Sequence, residues 1–247
     1  MEGVPVMLFL GYRPFFGFYF DPTYILVLIG LIITLMAQFM VSSRFRKYSA
    51  IRCSSGITGA MAADRILRAQ GIYDVRIEHV SGRLSDHYDP RNKVLRLSDS
   101  TYHSTSVAAV GVAAHECGHA IQHAKGYFPI KLRGLLVPVA NIGSYASWIF
   151  ILIGLLFSGS SSSAWLSAGI ICFAATVLFH VVTLPVEFNA SSRAINVLSE
   201  TGMLYGEEIT GARKVLNAAA LTYVASAATA ILQLLRLIIL FGGKRRD

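Results

Sequence analysis

The sequence predicts a mostly α-helical integral membrane protein, with three or four membrane helices and a small α+β part at the cytoplasmic face. Of its 247 residues, 54% are hydrophobic and only 15% are charged, and the mean hydropathy is +0.54. That balance is typical of membrane proteins. Several apolar stretches have the length of about 20 residues that a membrane helix needs. A long polar stretch, residues 42–134, follows the first of them.

Three stretches are predicted to cross the membrane: Tyr24 to Val41, Leu135 to Phe157 and Ala164 to Leu184. The last two are joined by the Gly/Ser-rich turn 158–163, which favours a tight helical hairpin. The aromatic residues before Tyr24 indicate a segment in the outer membrane interface. The chain is thus expected to contain five parts: 1–41, 42–134, 135–184, 185–217 and 218–247.

The basic residues predict the orientation. Although the net charge is +8, 14 of the 22 Lys and Arg residues lie between Arg44 and Arg133. Basic residues beside membrane helices mark the cytoplasmic side. Nucleic-acid binding is not expected, because no aromatic-basic motif accompanies these residues. Both ends of the polar stretch are therefore placed in the cytoplasm, on the evidence of Arg44, Arg46, Lys47, Lys125, Lys131 and Arg133.

A fourth apolar stretch, Ala218 to Phe241, fits this orientation less well, because a fourth crossing would carry the basic residues 244–246 outside. Five polar residues recur at helical spacing along it and form one stripe. We therefore expect this helix to pack its polar face on the catalytic core or to lie in the cytoplasmic interface. The stripe consists of Thr222, Ser226, Thr229, Gln233 and Arg236.

The polar stretch is predicted to mix helices and strands. Ile57 to Gln70 reads as a helix closed by Gly71. Val75 to Val80 and Lys93 to Ser98 alternate apolar and polar residues, which predicts a strand pair with a long connecting loop. A further helix, from about Ser106 to Ala124, is capped by Ser104 or Ser106 and ends at Gly126.

This last helix carries a metal-binding pattern. His115 and His119 are four residues apart, so both imidazoles can be directed at one point, and neutral imidazole is a good zinc ligand. Glu116 points beside that point, where a carboxylate can take a proton from metal-bound water. The pattern His-Glu-x-x-His on a helix therefore predicts a catalytic zinc site, rather than two unrelated histidines.

A catalytic zinc ion usually has three protein ligands. His123 is too far along the same helix to share the ion. Glu187 is the preferred third ligand, because an acid so close to lipid is costly and usually functional; the structural alternative is an ion pair with Arg193. His180, on the same helix face seven residues earlier, is the competing ligand.

Five motifs resemble the neutral zinc metallopeptidases, the zinc-dependent membrane proteases of the YugP type. They are FDPTY at 20–24, LSDHYDP at 84–90, VAAHECGHAIQ at 112–122, VEFNASSRA at 186–194 and LNAAALTYVA at 216–225. The resemblance implies zinc on His115, His119 and Glu187, with Glu116 as the base. The chain is more distantly similar to the HtpX and CAAX prenyl protease group, whose third-ligand helix carries an Asp where this chain has Ser191. A gluzincin-like core is thereby implied, with peptide binding by the strand around 93–98.

Smaller candidates surround this site. A second oxyanion donor is usual, and His87, Arg193 and Tyr223 are candidates that spacing does not separate. Asp86, His87 and Asp89 in the loop SDHYDP could orient substrate or bind a second cation, although turn formation before Pro90 is the simpler interpretation. The sequon that starts at Asn189 is discounted, since it lies on the cytoplasmic side. Three unpaired cysteines indicate a reducing compartment.

The expected function is that of a membrane-embedded zinc endopeptidase with one catalytic Zn²⁺. It would hydrolyse peptide bonds of membrane proteins or peptides at the cytoplasmic face of a prokaryotic cell membrane. One alternative is a non-catalytic membrane scaffold whose structural zinc has a fourth protein ligand and no need of Glu116. Another is an intramembrane protease of the site-two type, with its His-Glu motif within a spanning helix and an Asp ligand in a later one. The later apolar stretches of this chain contain no Asp.

Overall fold

The structure, a computed structural model, describes residues 13–15, 18–157 and 160–242. Most of these residues are helical. The N-terminal residues 1–12, the first two residues of the predicted hairpin turn (158–159) and the basic tail at 244–246 lie outside the described part. The elements that it contains are β1 (Arg13–Phe15), β2 (Phe18–Phe20), α1 (Tyr24–Ser49), α2 (Gly59–Ala69), β3 (Arg76–Val80), β4 (His87–Asp89), β5 (Val94–Ser98), α3 (Val107–Ala124), α4 (Phe128–Leu156), α5 (Ser160–Glu200) and α6 (Glu207–Phe241).

Four helices, α1, α4, α5 and α6, are long and apolar enough to cross a membrane. Three of them contain the predicted spans, but each is longer than the apolar stretch that revealed it. Helix α1 runs on past Val41, and Phe45 and Tyr48 in its last turns are buried against the α/β part. Helix α5 runs on past Leu184 with Pro185 inside it, so one helix carries both the third span and Glu187.

Helix α6 lies antiparallel to α1 along most of its length. A Cβ at Gly211 would meet the ring of Tyr48 at one end, and Arg236 reaches Asp21 at the other. Between them, the Thr229 hydroxyl donates a hydrogen bond to the Gly30 carbonyl. Helices α6 and α1 therefore run side by side, and both are candidate membrane spans.

Two residues of the polar stripe of α6, Thr229 and Arg236, contact α1 and the residues just before it. Thr229 contacts Thr34 of α1 at 3.2 Å between hydroxyl oxygens. The Arg236 guanidinium donates to both Asp21 and Thr23. These two residues therefore contribute to packing between α6 and α1, where polar side chains need partners because lipid offers none. Thr222 and Ser226 donate to carbonyl oxygens of α6 itself.

The hairpin of α4 and α5 is packed closely through small residues. A Cβ at Gly143 would lie 2.8 Å from the Cys172 carbonyl oxygen, and one at Gly154 would lie 2.7 Å from Leu166 Cγ. Such contacts let helix backbones approach in a membrane, where van der Waals packing rather than water exclusion holds helices together.

The α/β part contains a three-stranded sheet in the order β3-β5-β4. The predicted strand pair is present as β3 and β5, which are parallel, with Arg76 opposite Val94. The loop prediction for 85–90 was wrong in part, because His87–Asp89 form the strand β4, antiparallel to β5. This small strand has no hydrophobic alternation of its own, and its pairing with β5 defines it.

Helix α3 lies at the centre of the α/β part. Ser106 caps its start, accepting a hydrogen bond from the Ala109 N–H, and Gly126 follows its end with φ +65°. That left-handed conformation favours glycine. The side chains of α3 are buried between α2, α5 and α6, including Val110, Ala114, Cys117 and Ile121. The helix with the metal-binding pattern is thus fixed on several sides.

Candidate metal centre

The two histidines of α3 face the same point. The ring centroids of His115 and His119 are 4.8 Å apart, and the ring planes are 85° to one another. Their Nε2 atoms lie 3.3 Å and 3.7 Å from the same atom, Glu187 Oε2. The one-turn spacing of a helix therefore brings both imidazoles to one carboxylate oxygen.

Helix α5 places Glu187 at this point, with a side chain that is only 1% exposed. Its two oxygens have different surroundings. Oε1 accepts a hydrogen bond from Arg133 Nη1 at 3.0 Å, whereas Oε2 is buried without a hydrogen-bond partner. Leaving a buried carboxylate oxygen without a hydrogen-bond partner costs free energy, so the absence of such a partner at Oε2 requires an explanation.

These three residues fit a zinc ion. Within the described part of the chain, His115, His119 and Glu187 are the one group of three or more His, Cys, Asp or Glu side chains whose ligand atoms converge, all within 4.8 Å of one another. Zinc–nitrogen bonds of about 2.0–2.1 Å in a tetrahedral site put neighbouring ligand atoms roughly 3.3 Å apart. The observed separations of 3.3 Å and 3.7 Å are close to that value.

The other nitrogen of each imidazole also has a partner. His115 Nδ1 lies 3.1 Å from Ser191 Oγ, and His119 Nδ1 lies 3.1 Å from Gln122 Oε1. Partners of this kind orient metal-binding imidazoles. Ser191 thus contacts one of the two imidazoles through its hydroxyl.

Sequence reasoning missed the roles of Gln122 and Arg133. Gln122 comes one turn after His119 on α3, so its place near the site could have been read from helical spacing. Arg133 belongs to α4, and its contact with Glu187 joins residues 54 apart in the chain. No pattern in the nearby sequence predicts that contact. Arg133 was interpreted only as a marker of the cytoplasmic side.

A glycine lets α3 approach α5 at the site. A Cβ at Gly118 would lie 2.5 Å from the Ala190 carbonyl oxygen and 3.1 Å from Ala190 Cα. Gly118 lies between His115 and His119, and Ala190 lies between Glu187 and Ser191. The absence of a side chain at 118 is therefore what allows the ligands from the two helices to meet.

Glu116 lies on the side of the site that faces the sheet. Its Oε2 accepts a hydrogen bond from the Tyr88 backbone N–H at 3.0 Å. Tyr88 is the central residue of β4, whose other side pairs with β5. The strand beside the site is therefore β4, not the strand 93–98 that the resemblance implied; β5 occupies the middle of the sheet.

A cavity of about 330 Å³ opens over these residues. Its lining includes His119, Glu187 and Glu116. It also includes the apolar residues Pro90, Ile130 and Val137. Three of the smaller candidates, Asp86, His87 and Tyr223, line the same cavity. Arg193 is not among the lining residues; its Nε donates to Asn189, and its guanidinium lies over the Tyr127 ring.

The acidic residues of the loop 85–90 are engaged in local structure. Asp86 accepts hydrogen bonds from the Ser98 N–H and hydroxyl. Asp89 accepts from the side chain and backbone of Asn92, which lowers the pKa of its carboxyl to about 2. These contacts favour the turn interpretation over a second cation site.

Three other titratable side chains near the site, those of His123, His180 and Cys117, lie outside the group of converging ligand atoms. His123 is exposed, and its Nδ1 lies 3.3 Å from the Tyr88 hydroxyl, as a surface residue near the helix end should. His180, although on the ligand helix, is outside the converging group. Burial raises the pKa of the Cys117 thiol well above its usual value, and the thiol lies against the Ala63 carbonyl.

The charge balance favours a positive partner for Glu187. Burial by itself lowers the pKa of His119, but the nearby Glu187 carboxylate and the charge of Glu116 outweigh it, so that this pKa is raised. Two carboxylates and two imidazoles so close together form an environment that attracts a cation.

The fold and this site define a helical membrane protein with a buried His-His-Glu metal centre. Residues 23–242 match a family model described as "Putative neutral zinc metallopeptidase". The chain is also 46% identical over 216 residues to the "Putative membrane protease YugP" of Bacillus subtilis (strain 168), across 87% of this chain and 95% of that protein. No solved structure matches it. The chain therefore belongs to the neutral zinc metallopeptidase family.

Proposed function

We propose that this chain is a membrane-embedded zinc metalloendopeptidase that hydrolyses peptide bonds of membrane proteins or peptides near the cytoplasmic face. The observation that carries the proposal is the buried Oε2 of Glu187, which has two imidazole Nε2 atoms within 3.7 Å and no hydrogen bond. A zinc ion held by His115, His119 and Glu187 satisfies all three side chains. Membership of a zinc metallopeptidase family supports this assignment.

Glu116 is the proposed general base. A zinc ion held by these residues would supply a Lewis acid that activates water. Glu116 would accept a proton from the attacking water on its carboxylate and pass it to the leaving amine. The Tyr88 N–H, 3.0 Å from Oε2, holds the Glu116 carboxylate in place between α3 and β4.

The edge of β4 is the proposed binding site for the substrate backbone. In an antiparallel pair, alternate residues turn their backbone groups towards the partner strand. His87 and Asp89 flank Tyr88, whose N–H points to Glu116 and away from β5. An extended peptide can add to such an edge by hydrogen bonds. This arrangement of edge strand and ligand helix supports a gluzincin-like core, and Tyr223 and His87 are the oxyanion candidates that line the cavity.

The cavity walls support a substrate close to the bilayer. Ile130 and Val137 belong to α4, and Tyr223 belongs to α6, both of them candidate membrane helices. Arg44, Arg46 and Lys47 lie at the end of α1 that adjoins the α/β part. Since such residues favour the cytoplasm, the active site is proposed to face that side.

Both alternatives have less support. A structural zinc site would need a fourth protein ligand, and the converging group among the described residues has three members. An intramembrane protease of the site-two type would have its His-Glu motif in a spanning helix. Here the motif is on α3, which is not among the candidate spans of the described chain.

The test compares the wild type with Glu116→Gln, for zinc content and for cleavage of an unfolded membrane substrate. Zinc content should stay the same, and cleavage should fall by about 10²–10⁴-fold, the usual contribution of a general base. Glu200→Gln, the same substitution at an exposed position, is the matched control and should cleave normally. Equal cleavage by Glu116→Gln and the wild type would end the protease proposal.

A further inference from the structure

We propose that Gln122 is a positioning residue that holds His119 with its proton on Nδ1 and its Nε2 lone pair directed at the metal. The inference rests on the zinc site of the proposed function and adds a residue to it. A neutral imidazole carries one proton, and the nitrogen that lacks it is the one that binds a metal. Which nitrogen that is depends on the hydrogen bond made by the other.

The side chain of Gln122 is fully buried, at 0% exposure, and its three polar contacts are all internal. Nε2 donates to the Val186 carbonyl oxygen at 2.8 Å and to Asn189 Oδ1 at 3.0 Å. Oε1 lies 3.1 Å from His119 Nδ1. A buried glutamine with every group engaged is a fixed element, because breaking any one contact leaves a polar atom unpaired.

The orientation of the Gln122 amide follows from its neighbours. A backbone carbonyl can only accept, so the NH₂ group must be the one that faces Val186. Asn189 Oδ1 also accepts a hydrogen bond from Arg193 Nε at 2.7 Å, and a guanidinium can only donate. Turning the amide of Gln122 over would place its oxygen against two acceptors. The oxygen is therefore the atom that faces His119.

The proton of His119 is assigned by the same reasoning. Gln122 Oε1 has no proton to give, so the hydrogen bond at 3.1 Å requires Nδ1–H as its donor. The Nε2 atom of the same ring faces Glu187 Oε2 at 3.7 Å, across the proposed zinc position. By accepting at Nδ1, Gln122 favours the tautomer that leaves the Nε2 lone pair on the side of Glu187.

The corresponding contact of His115 does not settle a tautomer, because Ser191 has a hydroxyl that can donate or accept. The two candidate ligand histidines thus differ in their Nδ1 partners. Gln122 Oε1 can only accept, so it alone fixes the position of an imidazole proton. Val186 and Asn189 flank Glu187 on α5, so the same amide also ties the third-ligand helix to α3.

The direct test measures the wild type, and a variant serves only to assign its signals. In zinc-loaded protein with ¹⁵N-labelled histidine, NMR should show His119 with a protected Nδ1–H and zinc on Nε2. Zinc on Nδ1 would overturn the inference. His119 is assigned by comparison with His119→Gln.

The variant test uses Gln122→Met, which keeps the length of the side chain and removes the acceptor. Zinc affinity, measured by competition with a chromophoric chelator, should fall by about 10–100-fold, as is usual for outer partners of metal ligands. The Nδ1–H signal should be lost to exchange in the protein that remains folded. Gln70→Met removes a surface contact with Lys125 and should change neither readout.

The outcomes separate this inference from the function on which it rests. If the wild type binds no zinc, the zinc site itself is refuted. If the wild type binds zinc and Gln122→Met binds it equally well with an unchanged Nδ1–H signal, the role of Gln122 alone is refuted. Lower zinc affinity with an unchanged Nδ1–H signal would show a packing role only, and it too would overturn the inference.

Discussion

Adding one methyl group at Gly118 should impair the metal centre without touching any ligand. The Cβ of Gly118→Ala would lie 2.5 Å from the Ala190 carbonyl oxygen, where about 3.4 Å is the ordinary lower limit. The obstacle is backbone in the middle of a helix, which cannot turn aside as a side chain can. Helices α3 and α5 must therefore separate by up to about 0.9 Å at this point.

The size of the effect follows from the tolerance of a metal site. Ligand distances in such sites hold to within about 0.2 Å, and the required displacement is several times larger. Overpacking of this kind costs about 1–3 kcal/mol, while replacing a glycine within a helix returns up to about 1 kcal/mol. We expect the metal-free protein to lose at most about 3 kcal/mol of unfolding free energy. Zinc affinity should fall at least tenfold, about 1.4 kcal/mol.

The assay is chelator competition for zinc, together with thermal unfolding in the presence and absence of the metal. The stabilisation that zinc confers should shrink in Gly118→Ala at a fixed zinc concentration, because it depends on affinity. Gly134→Ala is the control, since a Cβ at Gly134 meets nothing within 4 Å and should leave zinc affinity unchanged. Wild-type affinity in Gly118→Ala would refute the argument that close helix approach sets the ligand geometry.

Two further predictions concern Arg133 and the path of α6. Arg133→Met leaves the buried Glu187 carboxylate without its cation, so the metal-free protein should lose about 3–5 kcal/mol, part of which zinc restores. The melting-temperature difference between zinc-loaded and metal-free protein should therefore be larger in Arg133→Met than in the wild type, and an unchanged difference would contradict this. Arg213→Met, at an exposed position, is the control, and an equal loss of unfolding free energy there would also contradict it. A cysteine in Gly242→Cys should be labelled by an impermeant maleimide from outside intact cells, because α6 accompanies α1. Labelling only in inverted vesicles would contradict a fourth crossing.

Features with a local cause could be predicted from the sequence. The helix of His115 and His119, its cap at Ser106 and the three long apolar spans all depend on spacing within a few turns. Glu187 was accessible by a different route, because an acid at the end of an apolar span needs a reason to be there. The structure places it where that reasoning predicted, beside both imidazoles.

Features that depend on distant partners could not be predicted. The stripe of α6 was visible as a polar face, but its partner is 195 residues away, in the contact of Thr34 with Thr229. Strand β4 has three residues, too few for a period, and it exists because β5 lies beside it. The positive-inside rule counts the basic tail against a fourth crossing. The contact of Arg236 with Asp21, which aligns α6 with α1, joins residues far apart in the chain and has no local signal.

The burial of Glu187 explains why the site draws on so many elements. A carboxylate that is 1% exposed is strongly destabilising unless cations and donors surround it. Arg133 from α4 supplies one charge, and the imidazoles of α3 face the other oxygen, which still lacks a hydrogen bond. A protein could reduce this cost by replacing Glu187 with an apolar residue, as buried ion pairs generally allow. A buried carboxylate whose second oxygen faces two histidines without a hydrogen bond is expected in a chain that is stabilised by a bound metal ion.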